Sequence, residues 1–341
     1  MKSWQVLRYA RPSDALELVD LPSPEPGPNE VRLRVLAAPA NFNDVDACHG
    51  RYATVHPPLP YSLGMEAMGV VEAAGAGAES WLGKRIIATT AQVQGAYSEE
   101  ALAPTDMIFE APESLGDAEA AAIFFPFHVA YVALHVRGAL RAGETLLVHA
   151  GAGGVGSAAL QLGVAAGARV FATAGGERKL AFCHELGAEL AIDYRAGEFL
   201  PAVLEATEGR GVDVLLDLVG GDVTEQGFRA MAFNGRYLQA GFSGGIEAED
   251  TGLVPRPILF GNFNYMGVML AYGDALATKR AAHINIMPRE LGLQVQESLN
   301  LLLAERRIRP IIGERMPMER LPAALEQLAS RNTIGRVVLS W

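Results

Sequence analysis

Hydrophobic and polar positions along the 341-residue chain follow two periodicities, and the change between them falls near residue 124. Before it, the pattern is that of short strands. Glu30–Ala38 (EVRLRVLAA) alternates polar and apolar residues as a half-buried strand does. Another strand is expected around Gly69–Ala73, and KRIIATT and GAYSEEALAP read as further strands between glycine turns. The prolines of LPSPEPGPNE mark an irregular connection. Ala40–Tyr52 (ANFNDVDACHGRY) is a loop or short helical turn rich in polar groups. Ser114–Ala122 opens a helix, with Ser114 as its cap and Asp117 in its first turn.

From about Phe124 to Gly241, strands alternate with helices. Thr145–Val148 reads as a buried strand, Ser157–Ala166 as a helix and Ala168–Thr173 as the next strand. Strands at Leu190–Asp193, Val212–Gly220 and Arg236–Phe242 follow, with helices at Glu198–Thr207 and Thr224–Ala232. Such alternation means parallel strands with crossover helices on both faces, a doubly wound α/β sheet. Beyond residue 289 come two amphipathic helices. One stripe holds Leu291, Val295, Leu299, Leu302 and Leu303; the other holds Leu321, Ala324, Leu325 and Leu328. Stripes at this spacing read as core. The closing RVVLSW strand needs a partner, and the N-terminal β-rich part is the nearest open sheet. The expected organisation is therefore a split domain, 1–123 and 271–341, with a domain of residues 124–270 inserted in it.

Composition narrows the class without changing this picture. Half of the residues are hydrophobic and a fifth are charged, which is globular with ample core. No run of about 18 apolar residues is expected to span a membrane, and the N-terminal stretch lacks the apolar region of a signal peptide. Two cysteines, Cys48 and Cys183, cannot by themselves make a disulfide framework or a zinc ribbon. A reducing cytoplasm is the expected home. The formal net charge of −11 argues against nucleic acid as a partner.

Chemistry enters with the turn after Thr145–Val148. Gly151, Gly153 and Gly156 stand in G-x-G-x-x-G spacing between a strand and a helix, the context that gives the motif its meaning. The first glycine allows the tight turn, the second lets backbone approach a pyrophosphate, and the third lets helix and strand pack closely. An anion there meets free N–H groups and the positive end of a helix. The strand that follows ends in ATAGG (Ala172–Gly176). An NAD-preferring site usually has an acid at that position, to hold the ribose 2′-hydroxyl. Here it is Ala174 or Gly175, followed by Glu177, Arg178 and Lys179, with Tyr194 and Arg195 ending the next strand. Small residues leave room for a 2′-phosphate and cations neutralise it, so NADPH is the expected cofactor. Glu177 is the residue that could overturn this.

These segments, together with LPYSLGMEAMGVVEAAG, GVDVLLDLVGG and SRNTIGRVVL, resemble the zinc-free quinone oxidoreductases (zeta-crystallin-like) of the medium-chain dehydrogenase/reductase superfamily over nearly the whole length. The resemblance implies a GroES-like β domain holding a Rossmann domain, a site in the cleft between them, and a homodimer paired through an edge strand near Tyr265–Leu270. It implies Asn41 and Tyr52 as the hydrogen-bond donors of catalysis. For the cofactor it implies Ala152, Gly153, Gly154, Val155 and Gly156 at the pyrophosphate. Thr173, Gly175, Lys179, Tyr194 and Arg331 would lie around the adenosine phosphate, and Gly241, Phe242, Gly267, Val268 and Met269 at the nicotinamide. Zinc-dependent relatives place cysteine, histidine and cysteine where this chain has Asn41, Met65 and Phe125, so no metal is expected. Adjacent Cys48 and His49, with His56, read as a coincidental loop cluster. Asn43 and Asp44 suit loop-holding hydrogen bonds equally well. Val129 replaces a threonine common beside the nicotinamide; His128 either takes over that contact or packs as a buried histidine. Asp46 replaces an aromatic residue common in bacterial relatives.

The implied activity is hydride delivery from NADPH to a quinone or α,β-unsaturated carbonyl. A 2-enoyl thioester reductase is the neighbouring alternative, and a catalytically inactive NADPH-binding or structural protein is the alternative of another class.

Overall fold

The computed structural model describes residues 1–51, 57–244, 253–273 and 284–341. They divide into two compact units: Met1–Phe125 with Ala271–Glu297 and Pro310–Trp341, and Pro126–Leu270 with Ser298–Arg309. Residues 298–309, expected with the C-terminal tail, belong to the second unit.

The first unit is built on a seven-stranded sheet. Its central strand, Glu30–Pro39, pairs antiparallel with Glu66–Ala74, with Glu100–Pro104 and with the terminal strand Arg336–Ser340. The alternation read in Glu30–Ala38 has a direct cause. Val31, Leu33 and Val35 are buried while Arg32 and Arg34 turn outward to Glu100 and Glu72. The tail is stitched in further by Ile312–Pro317, parallel to the terminal strand, and by the Trp4 indole donating to the Met318 carbonyl. Ile312–Pro317 escapes sequence reading because Gly313 and Pro317 bracket a mostly polar run.

The second unit is a six-stranded parallel sheet: β1 (Thr145–Val148), β2 (Arg169–Ala174), β3 (Leu190–Asp193), β4 (Val212–Asp217), β5 (Met231–Gln239) and β6 (Asn264–Gly267). The order is 3-2-1-4-5-6, the doubly wound arrangement expected, with its switch point between β1 and β4. Among the described residues β6 forms one edge. The core packs Leu147, Phe171, Val203, Leu215, Phe228 and Tyr237. Several boundaries differ from expectation. The helix expected over Thr224–Ala232 is Asp222–Arg229, and β5 begins already at Met231, where Ala230 starts a buried run. The helix expected from Ser114 begins at Asp117 and runs through Pro126 to Tyr131, continuing as a π-helical turn over Val132–Arg137. By length and composition alone this 21-residue segment meets the measure of a membrane span, its most apolar 18-residue window having a mean hydropathy of 1.4. Its most apolar window is 72% buried inside the molecule, as a core helix would be.

Candidate active site

In the second unit every expected nucleotide contact lies at the carboxyl ends of the parallel strands, where open α/β sheets bind ligands. Ala150, with a left-handed φ of 54°, turns the chain out of β1, and Gly153 then caps α1 (Gly154–Ala165) without any side-chain cap bond. Gly153, Gly154 and Val155 are partly exposed, whereas Ala152 and Gly156 are buried. The glycines differ in what they are for. A Cβ on Gly156 would lie 2.1 Å from the Ala150 carbonyl oxygen, so only glycine lets α1 start there. A Cβ on Gly153 would meet only that same oxygen, at 3.3 Å, which leaves its outer side open to a ligand. Uncapped N–H groups at the start of a twelve-residue helix, beside an open glycine, fit a pyrophosphate.

Beneath this turn, His149 is fully buried, with Nδ1 3.0 Å from the Thr173 hydroxyl and its ring against Phe199. Burial holds its pKa below the ordinary histidine value, so Thr173 sits on a neutral imidazole. Gly175 follows β2, buried; Lys179 is in the first turns of α2 (Glu177–Glu185), and Tyr194 is exposed after β3. On the other side of the switch point, Asp217 fixes the loop after β4. One carboxylate oxygen accepts the N–H groups of Val219 and Gly220, and the other accepts the hydroxyls of Tyr237 and Thr224. That loop receives the Ser243 and Gly244 N–H groups, which places Gly241 and Phe242 against it. Gly267 ends β6, and Val268 donates its N–H to the Gln239 carbonyl; Met269 is exposed. Asp217 and Gln239 were not singled out by sequence; an acid closing a strand before Gly-Gly was the available signal.

The first unit holds the other candidates. Asn41 caps the helix Phe42–Cys48 in a reciprocal capping box with Asp44. Its amide faces inward: Nδ2 donates to the Pro39 carbonyl, and Oδ1 accepts Arg336 Nη1 at 3.0 Å. Arg336 also binds Glu66 through a short, fully buried contact. Burial pushes the Glu66 carboxyl up, and Arg336, the Asn41 amide and the Phe125 backbone N–H pull against it. Met65 is buried, and the Asn43 amide lies 3.9 Å from its sulfur. Asn43, Asp44, Tyr61, Met65, Val93 and Gln94 line a recess of about 310 Å³, its open mouth included. Tyr52 and His56 lie outside the described residues, and Arg331 follows the helix Leu321–Ala329 of the first unit with φ 57°. His128 is buried. Among the described residues no three His, Cys, Asp or Glu side chains group as a metal site.

Asp44 lines the recess and is strongly perturbed. Burial pushes its carboxyl up to about 7, the Tyr97 hydroxyl and Asn41 N–H oppose this, Glu66 adds to it and Arg336 offsets it. The Tyr97 hydroxyl lies 2.5 Å from Asp44 Oδ2 and 3.1 Å from the Pro39 carbonyl. One hydroxyl proton serves one acceptor, so a protonated Asp44 satisfies both contacts. With its pKa raised in the fold, the Asp44 contribution to stability is complete below the ordinary carboxylate range and is lost as pH rises to about 7. Asp44→Asn keeps an acceptor for the Asn41 N–H and should flatten that part of the profile. Denaturant midpoints across this range measure it, and an unchanged slope would contradict the assignment.

Two family models match: the alcohol dehydrogenase GroES-like domain over residues 27–113 and the zinc-binding dehydrogenase over 154–282. Quinone oxidoreductase-like protein 2 of Bos taurus is 32% identical over 316 residues, 92% of this chain and 85% of its own length. The chain belongs to the quinone oxidoreductase family of medium-chain dehydrogenases/reductases. Among solved structures of the family, Escherichia coli quinone oxidoreductase complexed with NADPH superposes over the full length of both chains, with a TM-score of 0.87 and 28% identity. Phthioceranic/hydroxyphthioceranic acid synthase of Mycobacterium bovis is 35% identical over 238 residues, but those cover 69% of this chain and only 11% of the synthase. The fold of this family is the GroES-like and Rossmann pair described above.

Proposed function

We propose that the protein is an NADPH-dependent oxidoreductase that delivers hydride to a quinone or an α,β-unsaturated carbonyl without zinc. The observation that carries this is the donor set at positions 41 and 65. Asn41 offers an amide already bonded to Arg336 and Pro39, and Met65 offers a buried thioether. Neither supplies the thiolate or imidazole that holds catalytic zinc. Without a Lewis acid, acceptors whose conjugation carries the developing charge to oxygen are favoured, and a hydrogen-bond donor stabilises that oxygen.

NADPH, when bound, supplies the hydride. Gly153, Gly154, Val155 and Gly156, with Ala152, hold its pyrophosphate at the start of α1. Thr173, Gly175, Lys179 and Tyr194 hold the adenosine 2′-phosphate. Gly241, Phe242, Gly267, Val268 and Met269 flank the nicotinamide. Asn41 keeps its amide within the Arg336–Glu66 cluster and orients the recess wall, which leaves Tyr52 as the donor to the substrate oxygen. The β6 strand, an edge among the described residues, suits pairing with a second copy.

The identity with the mycobacterial synthase favours enoyl thioesters as the second reading. Steady-state NADPH oxidation with benzoquinone, simple enones and 2-enoyl thioesters separates them. The highest kcat/KM is expected for a quinone or enone. A preference for the thioester would move the assignment to the second reading. NADPH binding with no oxidation by any of the three would leave a binding protein.

A further inference from the structure

Hydride placed on the β-carbon of an enone leaves an enolate, and reduction is complete only when the α-carbon has taken a proton. Among the described residues that line the recess, Asp44 and Tyr61 alone carry an acidic proton. The Tyr61 hydroxyl donates to the Ala47 carbonyl at 2.9 Å, and burial raises its pKa. Asp44 is held differently. Its Oδ2 accepts the Asn41 N–H at 2.9 Å and lies 2.5 Å from the Tyr97 hydroxyl. Its Oδ1 accepts no hydrogen bond among the described residues, which leaves that oxygen to the recess. Ala47, Leu63, Met65 and Val93 make much of the wall apolar, a setting that favours the neutral acid over the carboxylate.

We propose that Asp44 is a catalytic acid, giving a proton from Oδ1 to the α-carbon of an enone held in the recess; this rests on the reading of the protein as a reductase of conjugated acceptors. The Asp44 O–H bond breaks, the enolate electron pair forms the new C–H bond, and the carbonyl is restored. The carboxylate left behind is already provided for at Oδ2. The Asn41 N–H stays on it, and the Tyr97 hydroxyl, which reaches either Oδ2 or the Pro39 carbonyl, donates to Oδ2. Water then returns the proton. Cys48 on the same helix, Tyr61 and Tyr97 are kept neutral by raised pKa values, so the charged neighbours are Glu66 and Arg336, which bind each other. Quinone reduction places its protons on oxygen, where water suffices, and has no carbon to protonate.

NADPH oxidation by cyclohexenone and by benzoquinone, followed across pH, tests this in the wild type alone. The enone kcat should fall as pH rises through about 7, where Asp44 loses its proton, and the benzoquinone kcat should show no such limb. In deuterium oxide the reduced enone should carry deuterium on one face of its α-carbon. Asp44→Asn should lower the enone kcat about a hundredfold more than the benzoquinone kcat, as loss of a general acid does, and should scramble that face. Tyr97→Phe removes a hydrogen bond that holds the Asp44 carboxyl down, so the enone limb should move to higher pH. Three results would overturn the proposal while leaving the reading standing: the same limb with both acceptors, one-faced deuteration retained in Asp44→Asn, or a wild type that reduces benzoquinone but not the enone. A wild type that reduces neither would overturn the reading, and the proposal with it.

Discussion

Replacing Arg336 with Met is expected to destabilise the protein by about 3–5 kcal/mol, the cost of leaving a buried charge without its partner. Arg336 is 8% exposed and Glu66 1%. The guanidinium is the largest influence holding the Glu66 carboxyl down against burial. Once it is removed, Glu66 must take up a proton to remain buried. A carboxyl whose folded pKa is raised stabilises below its unfolded pKa and loses that contribution as pH rises through the folded value. The deficit of Arg336→Met should therefore be larger at about pH 8 than at about pH 5. Adding Glu66→Gln should recover much of the loss, since exchanging both partners of a buried pair is often close to neutral. Denaturant unfolding of the two single variants and the double variant measures the coupling. Additive losses would show that the pair is not a unit. The same variants should weaken turnover, because Arg336 also holds the Asn41 amide.

The second large effect is at Gly156. Its Cβ would lie 2.1 Å from the Ala150 oxygen, with the Ala150 carbonyl carbon and Gly151 Cα each at 2.8 Å. All three are backbone atoms, so no side chain can swing away. Gly156→Ala must push α1 off the turn after β1, at about 2 kcal/mol for overpacking. The uncapped N–H groups then move from where a pyrophosphate would meet them. NADPH affinity should fall at least about a hundredfold, since a 1 Å displacement in a positioned site has effects of that order. Fluorescence titration reads the affinity and thermal melting reads the stability. Gly153→Ala is the control, because its Cβ would meet a single atom at 3.3 Å; it should bind NADPH more weakly and keep its stability. Equal melting losses for the two variants would contradict the division of roles between these glycines.

What the sequence made legible was local. Thr145–Val148 is a strand over the very residues expected, because four apolar or β-favouring positions before a glycine turn admit little else. The helix after it starts at Gly154 and not Ser157, since helix geometry there rests on close packing over Ala150 and not on helix propensity. The terminal strand pairs with Glu30–Pro39, as an alternating apolar strand seeking an open sheet should. Pro126 hid the continuation of the Asp117 helix, because proline usually ends a helix. The Arg336–Glu66–Asn41 cluster was invisible. Arg336 and Glu66 are 270 residues apart, and only the tail's return to the first sheet brings them together. Asn41 was expected to face a substrate; in the fold its amide is turned to Pro39 and Arg336. The acid missing at Ala174–Gly176 was readable, but the acid on the next strand, Asp193, and its grip on the turn were not.

Hydride transfer from NADPH to a conjugated acceptor is expected to proceed without a metal. Single-turnover oxidation of bound NADPH by benzoquinone, using protein stripped with a strong chelator and shown by elemental analysis to be free of zinc, tests it most directly. The rate should equal that of untreated protein and should not rise when zinc is restored. Loss of NADPH oxidation on stripping, regained with one equivalent of zinc, would contradict the account.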